Sequence, residues 1–147
     1  MASKKASKNV EALRAAHKSW NRRDFQGVVA NAADGLAYTD NARGLKLNSR
    51  TAFREWTEAW AKAFSDAKIT NPTYIDAGDV VIAQFTAVGT NDGAFGSMKP
   101  TGRRMDLPFC EICHFDKQGR IVSGGCYYDQ HTLLIQLGHV QPLADAA

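Results

Sequence analysis

The stretch that most constrains the fold is residues 119–138, GRIVSGGCYYDQHTLLIQLG. It opens with the β-branched pair Ile121 and Val122 and continues through two tyrosines, a composition typical of a β-strand. From Asp129 onward the apolar residues take helical spacing, and this segment ends at Gly138. We therefore predict a strand that delivers one carboxylate, Asp129, to the start of a helix.

Upstream of this unit, helices come first and strands follow. Apolar residues recur at helical spacing over residues 10–22 and 51–64, and a short helix between them begins at Asp24 and stops at Gly35. Strands are predicted for residues 36–40, 73–75, 80–89, 103–115 and 120–129, with loops over residues 41–48 and 89–102. Pro108 predicts an edge or a bulge in its strand. This order predicts an α+β fold whose curved sheet wraps around the helices.

Charge and hydropathy argue against several classes of protein. Three lysines in the first eight residues account for the net charge of +3, so nucleic-acid binding is not expected of the neutral remainder. No apolar run approaches the length of about 18 residues that a membrane span needs, and the start lacks the apolar core of a secretory signal. We expect a cytoplasmic protein with a disordered basic tail (residues 1–8), a single domain (residues 9–140) and a flexible tail (residues 141–147).

The segment from Cys110 to His114 matches C-x-x-C-H, the attachment motif of c-type haem. Its surroundings predict a strand, in which residues three apart point to opposite faces and lie about 10 Å apart. That separation is too long for a disulfide between Cys110 and Cys113 and unsuited to a shared metal. We therefore predict reduced thiols, with no haem and no metal.

Asp129 has two possible roles. If it faces the inside of the sheet, alternation puts Gly125 and Tyr127 on the same face and Cys126 and Tyr128 on the other. Apolar surroundings would then raise its pKa above about 3.9 and suit it to acid–base work near neutrality. Alternatively, Asp129 caps the helix, and the hydrogen bonds of a cap lower the pKa. The residues alone favour the cap.

Other candidates lie on the predicted helices. Trp56 and Trp60 share one face of the longest helix, where they either fill the core or line a ligand cavity. His17 lies on the buried stripe of the first helix, a position more typical of a hydrogen-bonded core residue than of a catalyst.

In order and spacing, several segments resemble the SnoaL-like polyketide cyclase (ester cyclase) family of the NTF2-like superfamily. They are residues 21–24, 60–66 (WAKAFSD), 78–81, 85–90 (FTAVGT), 100–103, 115–121 and 127–138. The resemblance implies a cone-shaped α+β barrel with an internal pocket, no cofactor, and a homodimer or higher homo-oligomer.

The resemblance also implies a function. In characterised cyclases of this family, an Asp at the position of Asp129 removes a proton next to a carbonyl, and the enolate closes a ring by aldol condensation. We therefore expect a cofactor-independent cyclase-like or ketosteroid isomerase-like enzyme, with a small apolar carbonyl compound as its substrate and Asp129 as its acid/base. The side chains expected to contact the substrate are Tyr127, Asn91, Trp20, Trp56, Trp60, Phe85 and Glu111.

Several points qualify this expectation. Asn91 and Thr39 stand where many relatives have histidine, which removes two partners for an oxyanion, while His114 and His131 are expected to face away from the pocket. A dehydratase or hydrolase would need a second carboxylate, and Glu111 could supply it only if it faces inward. The main alternative is a non-catalytic domain that holds a hydrophobic ligand or serves assembly.

Overall fold

Helices and strands are mixed in the first half of the described chain, and four consecutive strands follow the third helix. The computed structural model describes residues 6–144. Its helices are α1 (Lys8–Asn21), α2 (Phe25–Val28), α3 (Arg50–Ala63) and α4 (Gln130–Leu137). Its strands are β1 (Ala32–Asp40), β2 (Leu45–Leu47), β3 (Lys68–Asp76), β4 (Val80–Thr90), β5 (Arg104–Phe115) and β6 (Ile121–Tyr128). None of the helices between residues 6 and 144 is long and apolar enough to cross a membrane.

The strands form one six-stranded mixed sheet in the order β2-β1-β6-β5-β4-β3. Strands β1 and β6 run parallel, and the other neighbouring pairs are antiparallel. Helices α1 and α3 pack against this sheet. The predicted α+β fold with a curved mixed sheet is therefore confirmed.

Polar caps set the helix boundaries. The hydroxyl of Ser7 accepts a hydrogen bond from the backbone N–H of Val10 at 3.2 Å, and Ser49 caps α3 in the same way. Helix α1 begins at Lys8, a residue that the sequence prediction assigned to the disordered tail. Residues 1–5 and 145–147, which belong to the two predicted tails, lie outside the described residues.

Three boundaries differ from the sequence prediction. The short helix α2 ends at Val28, so Gly35 lies within β1 and does not stop a helix. Strand β2 occupies part of the predicted loop over residues 41–48. Strand β3 begins at Lys68, earlier than the predicted residues 73–75. A register shift between Thr70 and Thr73, with a φ of 51° at Asn71, interrupts the alternation by which the strand would have been predicted in full.

Pro108 produces no bulge in the β4–β5 pairing, whose register is continuous from Val80 to Thr90. The ladder between β5 and β6 reaches only Phe109, so at Pro108 one side of β5 is an edge. Beyond that point α4 replaces β6: the side chain of Gln136 donates to the carbonyl of Asp106 at 2.8 Å and accepts from its N–H at 3.0 Å. This pairing fixes α4 against the sheet.

The inner face of β5 supplies a central part of the core. Alternate residues along this strand are buried, whereas most residues between them are exposed. The buried set is Met105, Leu107, Phe109, Glu111, Cys113 and Phe115. One carboxylate, that of Glu111, is therefore placed among apolar side chains on the concave face.

Candidate functional site

A cavity lies between helices α1 and α3 and the inner face of the sheet. The space open to the centres of water-sized molecules is about 100 Å³. Apolar side chains form most of the wall, among them four predicted substrate-contact residues, Trp20, Trp56, Trp60 and Phe85. The most polar side chains in the wall are His17, Tyr38 and Glu111. Glu111, which was also predicted to contact the substrate, thus faces the cavity.

The carboxylate of Glu111 is held by side chains from two other elements, α1 and β1. The Nε2 atom of His17, on α1, lies 2.8 Å from its Oε2 atom. The hydroxyl of Tyr38, on β1, donates to Oε1 at 2.9 Å. Only 8% of Glu111 is exposed, so these donors replace the water that would otherwise solvate the charge.

These contacts determine the charge of Glu111. Burial alone raises the pKa of its carboxyl group, but the hydrogen bond and charge of His17 and the hydroxyl of Tyr38 more than offset that effect. The pKa of Glu111 therefore lies below its ordinary value of 4.5, and the group is ionised near neutrality. Burial and the neighbouring carboxylate raise the pKa of Tyr38, which keeps its hydroxyl protonated.

A second hydrogen bond links His17 to the protein surface. Its Nδ1 atom lies 2.8 Å from the hydroxyl of Tyr74, whose pKa is raised to about 12, mainly by burial. Both ring nitrogens of His17 therefore have a hydrogen-bond partner, Nε2 the carboxylate of Glu111 and Nδ1 the hydroxyl of Tyr74. Tyr74 and His17 line an outer groove with Arg14 and Lys18. The row from Glu111 through His17 to Tyr74 therefore runs from the cavity to the surface.

Asp129 lies outside the cavity and is exposed. The alternative in which its carboxylate faces inward and is desolvated, on which its expected acid/base role depended, is therefore wrong. Its side chain accepts hydrogen bonds from the backbone N–H groups of His131 and Thr132, at 2.9 and 3.3 Å, and from the Thr132 hydroxyl at 2.7 Å. The hydrogen bonds from Thr132 lower the pKa of this exposed carboxylate. The alternative stated from the sequence, a helix cap, describes its position.

Tyr127 also faces away from the cavity, contrary to the prediction, and is 50% exposed. The prediction took Asp129 as inward and assigned its face to Tyr127 by alternation, but Asp129 is exposed. Cys126 instead pairs with the inward Glu111 across β5 and β6, so Cys126 lines the cavity and Tyr127 lies on the outer face.

Asn91 is buried, but its side chain is fully engaged in the fold. Its amide donates to the carbonyls of Ala63 and Gly93 at 3.1 and 2.9 Å and accepts from the N–H of Thr101 at 3.0 Å. These bonds connect the end of α3 to the loop after β4. The prediction that Asn91 contacts the substrate is therefore corrected: it holds this loop in place.

Sequence reasoning missed part of the site and left part of it open. It did not single out Tyr38 and Tyr74, and it favoured a core role for His17. Apolar residues at alternate positions of β5, on both sides of Glu111, carried a signal that Glu111 faces inward. His114 and His131 are exposed, as expected.

A second buried carboxylate, Asp40, was also missed. It is fully buried at the end of β1 and accepts hydrogen bonds from the indole of Trp56 at 3.1 Å and the hydroxyl of Tyr128 at 3.0 Å. Burial and this carboxylate raise the pKa of Tyr128. Asp40 thereby ties α3 and β6 to β1.

Comparisons with known proteins agree with this architecture. The profile of the family described as SnoaL-like polyketide cyclase matches residues 10–137. No curated protein matches the sequence.

Three solved structures illustrate the similarity of fold. A proposed SnoaL-like polyketide cyclase from Jannaschia sp. CCS1 has a TM-score of 0.83 and 14% identity, over 95% of this chain and 100% of its own. AclR, a proposed hydroxylase from Streptomyces galilaeus, has a TM-score of 0.79 and 21% identity, over 93% and 85%. IdmH, a proposed polyketide cyclase from Streptomyces antibioticus, has a TM-score of 0.75 and 21% identity, over 90% and 99%.

Proposed function

Because the chain belongs to the SnoaL-like polyketide cyclase family, we propose that it is a cofactor-independent enzyme acting on a compact, apolar carbonyl compound. Glu111, inside the cavity, is the general base that removes a proton from the carbon next to the carbonyl. The proposal moves this role from Asp129, which caps a helix at the surface, to the carboxylate that lines the cavity.

The observation that carries the proposal is an ionised carboxylate in a largely apolar cavity, held at 2.8 Å by a histidine. Burial in this apolar wall disfavours the charged carboxylate, and this effect opposes that of the hydrogen bonds and favours proton uptake by Glu111. The C–H bonding electrons then form the enolate, while the proton goes to Glu111. His17 and Tyr74 keep the carboxylate oriented and connect it to solvent through two hydrogen bonds of 2.8 Å.

The same first step serves two reactions. If the enolate carbon attacks a second carbonyl of the same substrate, a ring closes in an aldol reaction, and Glu111 returns its proton to the new alkoxide. If Glu111 returns the proton to another carbon, a double bond migrates, as in an isomerisation. Enolate formation with Glu111 as base is common to both.

One observation favours a second candidate, a non-catalytic domain that binds a hydrophobic ligand. Both carboxylate oxygens of Glu111 already have a hydrogen-bond partner within the protein, His17 or Tyr38, and these bonds lower the pKa of the carboxyl group. Such a network is also typical of a purely structural polar cluster. This candidate predicts that a ligand added to the protein is recovered chemically unchanged and with no solvent hydrogen at the carbon beside its carbonyl.

The experiment that separates the two candidates follows deuterium incorporation into 1-tetralone dissolved in D₂O, monitored by NMR at the carbon beside the carbonyl. We expect the wild-type protein to accelerate exchange over buffer and Glu111→Gln to lose that acceleration, since a positioned acid/base contributes about 10²–10⁴-fold. Tyr127→Phe, a change on the outer face, is the control and should exchange at the wild-type rate. Exchange at the wild-type rate in Glu111→Gln would refute the assignment of the base.

A further inference from the structure

The outer groove lies between helix α1 and strand β3, which is an edge of the sheet. His17 and Ile69 line both this groove and the cavity, so they form part of the wall between the two spaces. The other described residues that line the groove are Arg14, Lys18, Asn21, Pro72 and Tyr74. This lining carries two cationic side chains and no acidic one, together with the apolar surface of Ile69 and Pro72.

Arg14 is held at the groove by its contact with Tyr74. Its Cζ atom lies 5.1 Å from the centroid of the Tyr74 ring, a cation–π contact. Within residues 6–144 its ion pair is with Glu11, at 3.5 Å, and the two side chains are 39% and 54% exposed. An exposed pair of this length contributes little to stability. The planar N–H fork of Arg14 therefore stays open to a stronger acceptor.

Lys18 adds a second positive charge one helical turn from Arg14. Residues four apart lie on the same face of a helix, and like charges at this spacing destabilise it. Lys18 is exposed, and none of the ion pairs within residues 6–144 includes it. An anion between the two side chains would relieve their repulsion, so the groove favours a negatively charged ligand.

The groove keeps its shape because α1 is bonded to β3. The amide of Asn21 donates to the carbonyl of Ile69 at 3.0 Å, and its side-chain oxygen accepts from the N–H of Ile69 at 2.8 Å. The hydroxyl of Tyr74 lies 2.8 Å from the Nδ1 atom of His17. These bonds join both walls before any ligand arrives, so binding costs little free energy for ordering the site.

We infer that the outer groove is a second ligand site, separate from the cavity, and that it binds a small carboxylate with an apolar body. The fork of Arg14 matches the two carboxylate oxygens, and Lys18 supplies a second positive charge. The apolar body of the ligand packs on Ile69 and Pro72. Nothing in this contact depends on the proposed enolate chemistry.

The same ligand is disfavoured in the cavity. Glu111 is ionised there and the wall around it is largely apolar, so a carboxylate inside the cavity would be desolvated next to a like charge. The two sites therefore select different ligands: the cavity takes a neutral compound, and the groove takes an anion.

The test titrates ¹⁵N-labelled protein with benzoate, benzyl alcohol and acetate at pH 7 and constant ionic strength. Benzyl alcohol keeps the ring without the charge, and acetate keeps the charge without the ring. We expect benzoate to bind about fivefold more tightly than benzyl alcohol, the factor for one pair of unit charges about 4 Å apart in water, and more tightly than acetate as well. The largest shifts should fall on the amide resonances of residues 14–21 and 69–74, which form the groove.

Lys18→Gln tests whether the charge acts locally. Benzoate should bind about fivefold more weakly to this variant, whereas benzyl alcohol should bind as it does to the wild type. Lys46→Gln is the matched control, because it removes the same charge from an exposed residue of β2, at the opposite edge of the sheet. Its affinity for benzoate should equal that of the wild type.

Three results would overturn the inference. Equal affinities for benzoate and benzyl alcohol would show that the groove does not select a charge. Equal losses in Lys18→Gln and Lys46→Gln would show that benzoate responds to net charge alone. Shifts centred on residues 105–113 would place benzoate in the cavity. The comparison of ligands uses the wild-type protein, so it decides the matter even where a variant does not fold.

Failure of this inference can be distinguished from failure of the proposed function. Selective binding of benzoate in the groove, without any exchange of 1-tetralone by the wild type, would support the groove site and reject the enzyme. Exchange that depends on Glu111, with no preference for benzoate, would support the enzyme and reject the groove site.

Discussion

The Nε2 atom of His17 on α1 lies 2.8 Å from the Oε2 atom of Glu111 on β5, although 94 residues separate them in the chain. The contact joins the helical layer to the middle of the sheet and forms the polar part of an otherwise apolar cavity wall. Packing of α1 on the sheet and the charge state of the cavity are therefore physically linked.

This link predicts a specific loss of stability in acid. The pKa of Glu111 is lower in the fold than its ordinary value of 4.5, so its ionised form stabilises the fold at higher pH, and this contribution disappears as the pH falls through the lower folded value. We expect Glu111→Gln to lose about 1.5–3 kcal/mol of unfolding free energy at neutral pH, the range for a hydrogen bond to a charged group. The difference between the variant and the wild type should shrink below about pH 4.

Urea unfolding at several pH values measures this difference. The surface carboxylates with lowered pKa values, including Asp66, Asp92 and Asp116, are present in both proteins, so their contributions cancel in the comparison. A difference that does not vary with pH would show that Glu111 is not ionised in the fold.

Tyr74→Phe is predicted to slow exchange without weakening ligand binding. The change removes the hydroxyl that lies 2.8 Å from Nδ1 of His17, and Tyr74 is not part of the cavity wall. We expect deuterium incorporation into 1-tetralone to slow by about tenfold, which is less than the factor of about 10²–10⁴ that a positioned acid or base usually contributes. Affinity for 1-tetralone should match the wild type, and unchanged exchange would show that protons do not pass through Tyr74.

Asn91→Ala is predicted to destabilise the fold and leave the cavity intact. The change removes three hydrogen bonds and leaves two carbonyls and one N–H without their partner, at a cost of about 2–4 kcal/mol in unfolding free energy. Asn41→Ala is the matched control, because the amide of Asn41 is exposed and makes longer bonds, of 3.3 and 3.4 Å. A selective loss of ketone affinity in Asn91→Ala would instead restore its role in binding.

Much of the fold could be predicted from local patterns. Helical spacing located α1 and α3, and alternation located β4 to β6. Strand β3 was predicted too short because the irregularity at Asn71 breaks the alternation that marks a strand.

The candidate site was predictable only in part. The apolar wall residues Trp20, Trp56, Trp60 and Phe85 follow from their spacing on helices and strands and do line the cavity. The inner and outer faces of β6 were assigned wrongly because alternation was counted from an inward Asp129, whereas Asp129 lies exposed at the start of α4.

The polar cluster was harder still to predict. His17, Tyr38 and Glu111 come from three elements that meet only in the folded sheet, so no spacing in the sequence records their contact.

The most direct test of the account compares Glu111→Gln and Asp129→Asn in the 1-tetralone exchange assay at neutral pH. Asp129 is exposed and bonded to the start of α4, so Asp129→Asn, which still accepts hydrogen bonds as a cap, should exchange within about twofold of the wild type. Glu111→Gln should fall by about a hundredfold or to the rate in buffer. Loss of exchange in Asp129→Asn with wild-type exchange in Glu111→Gln would contradict the account and return the acid/base role to Asp129.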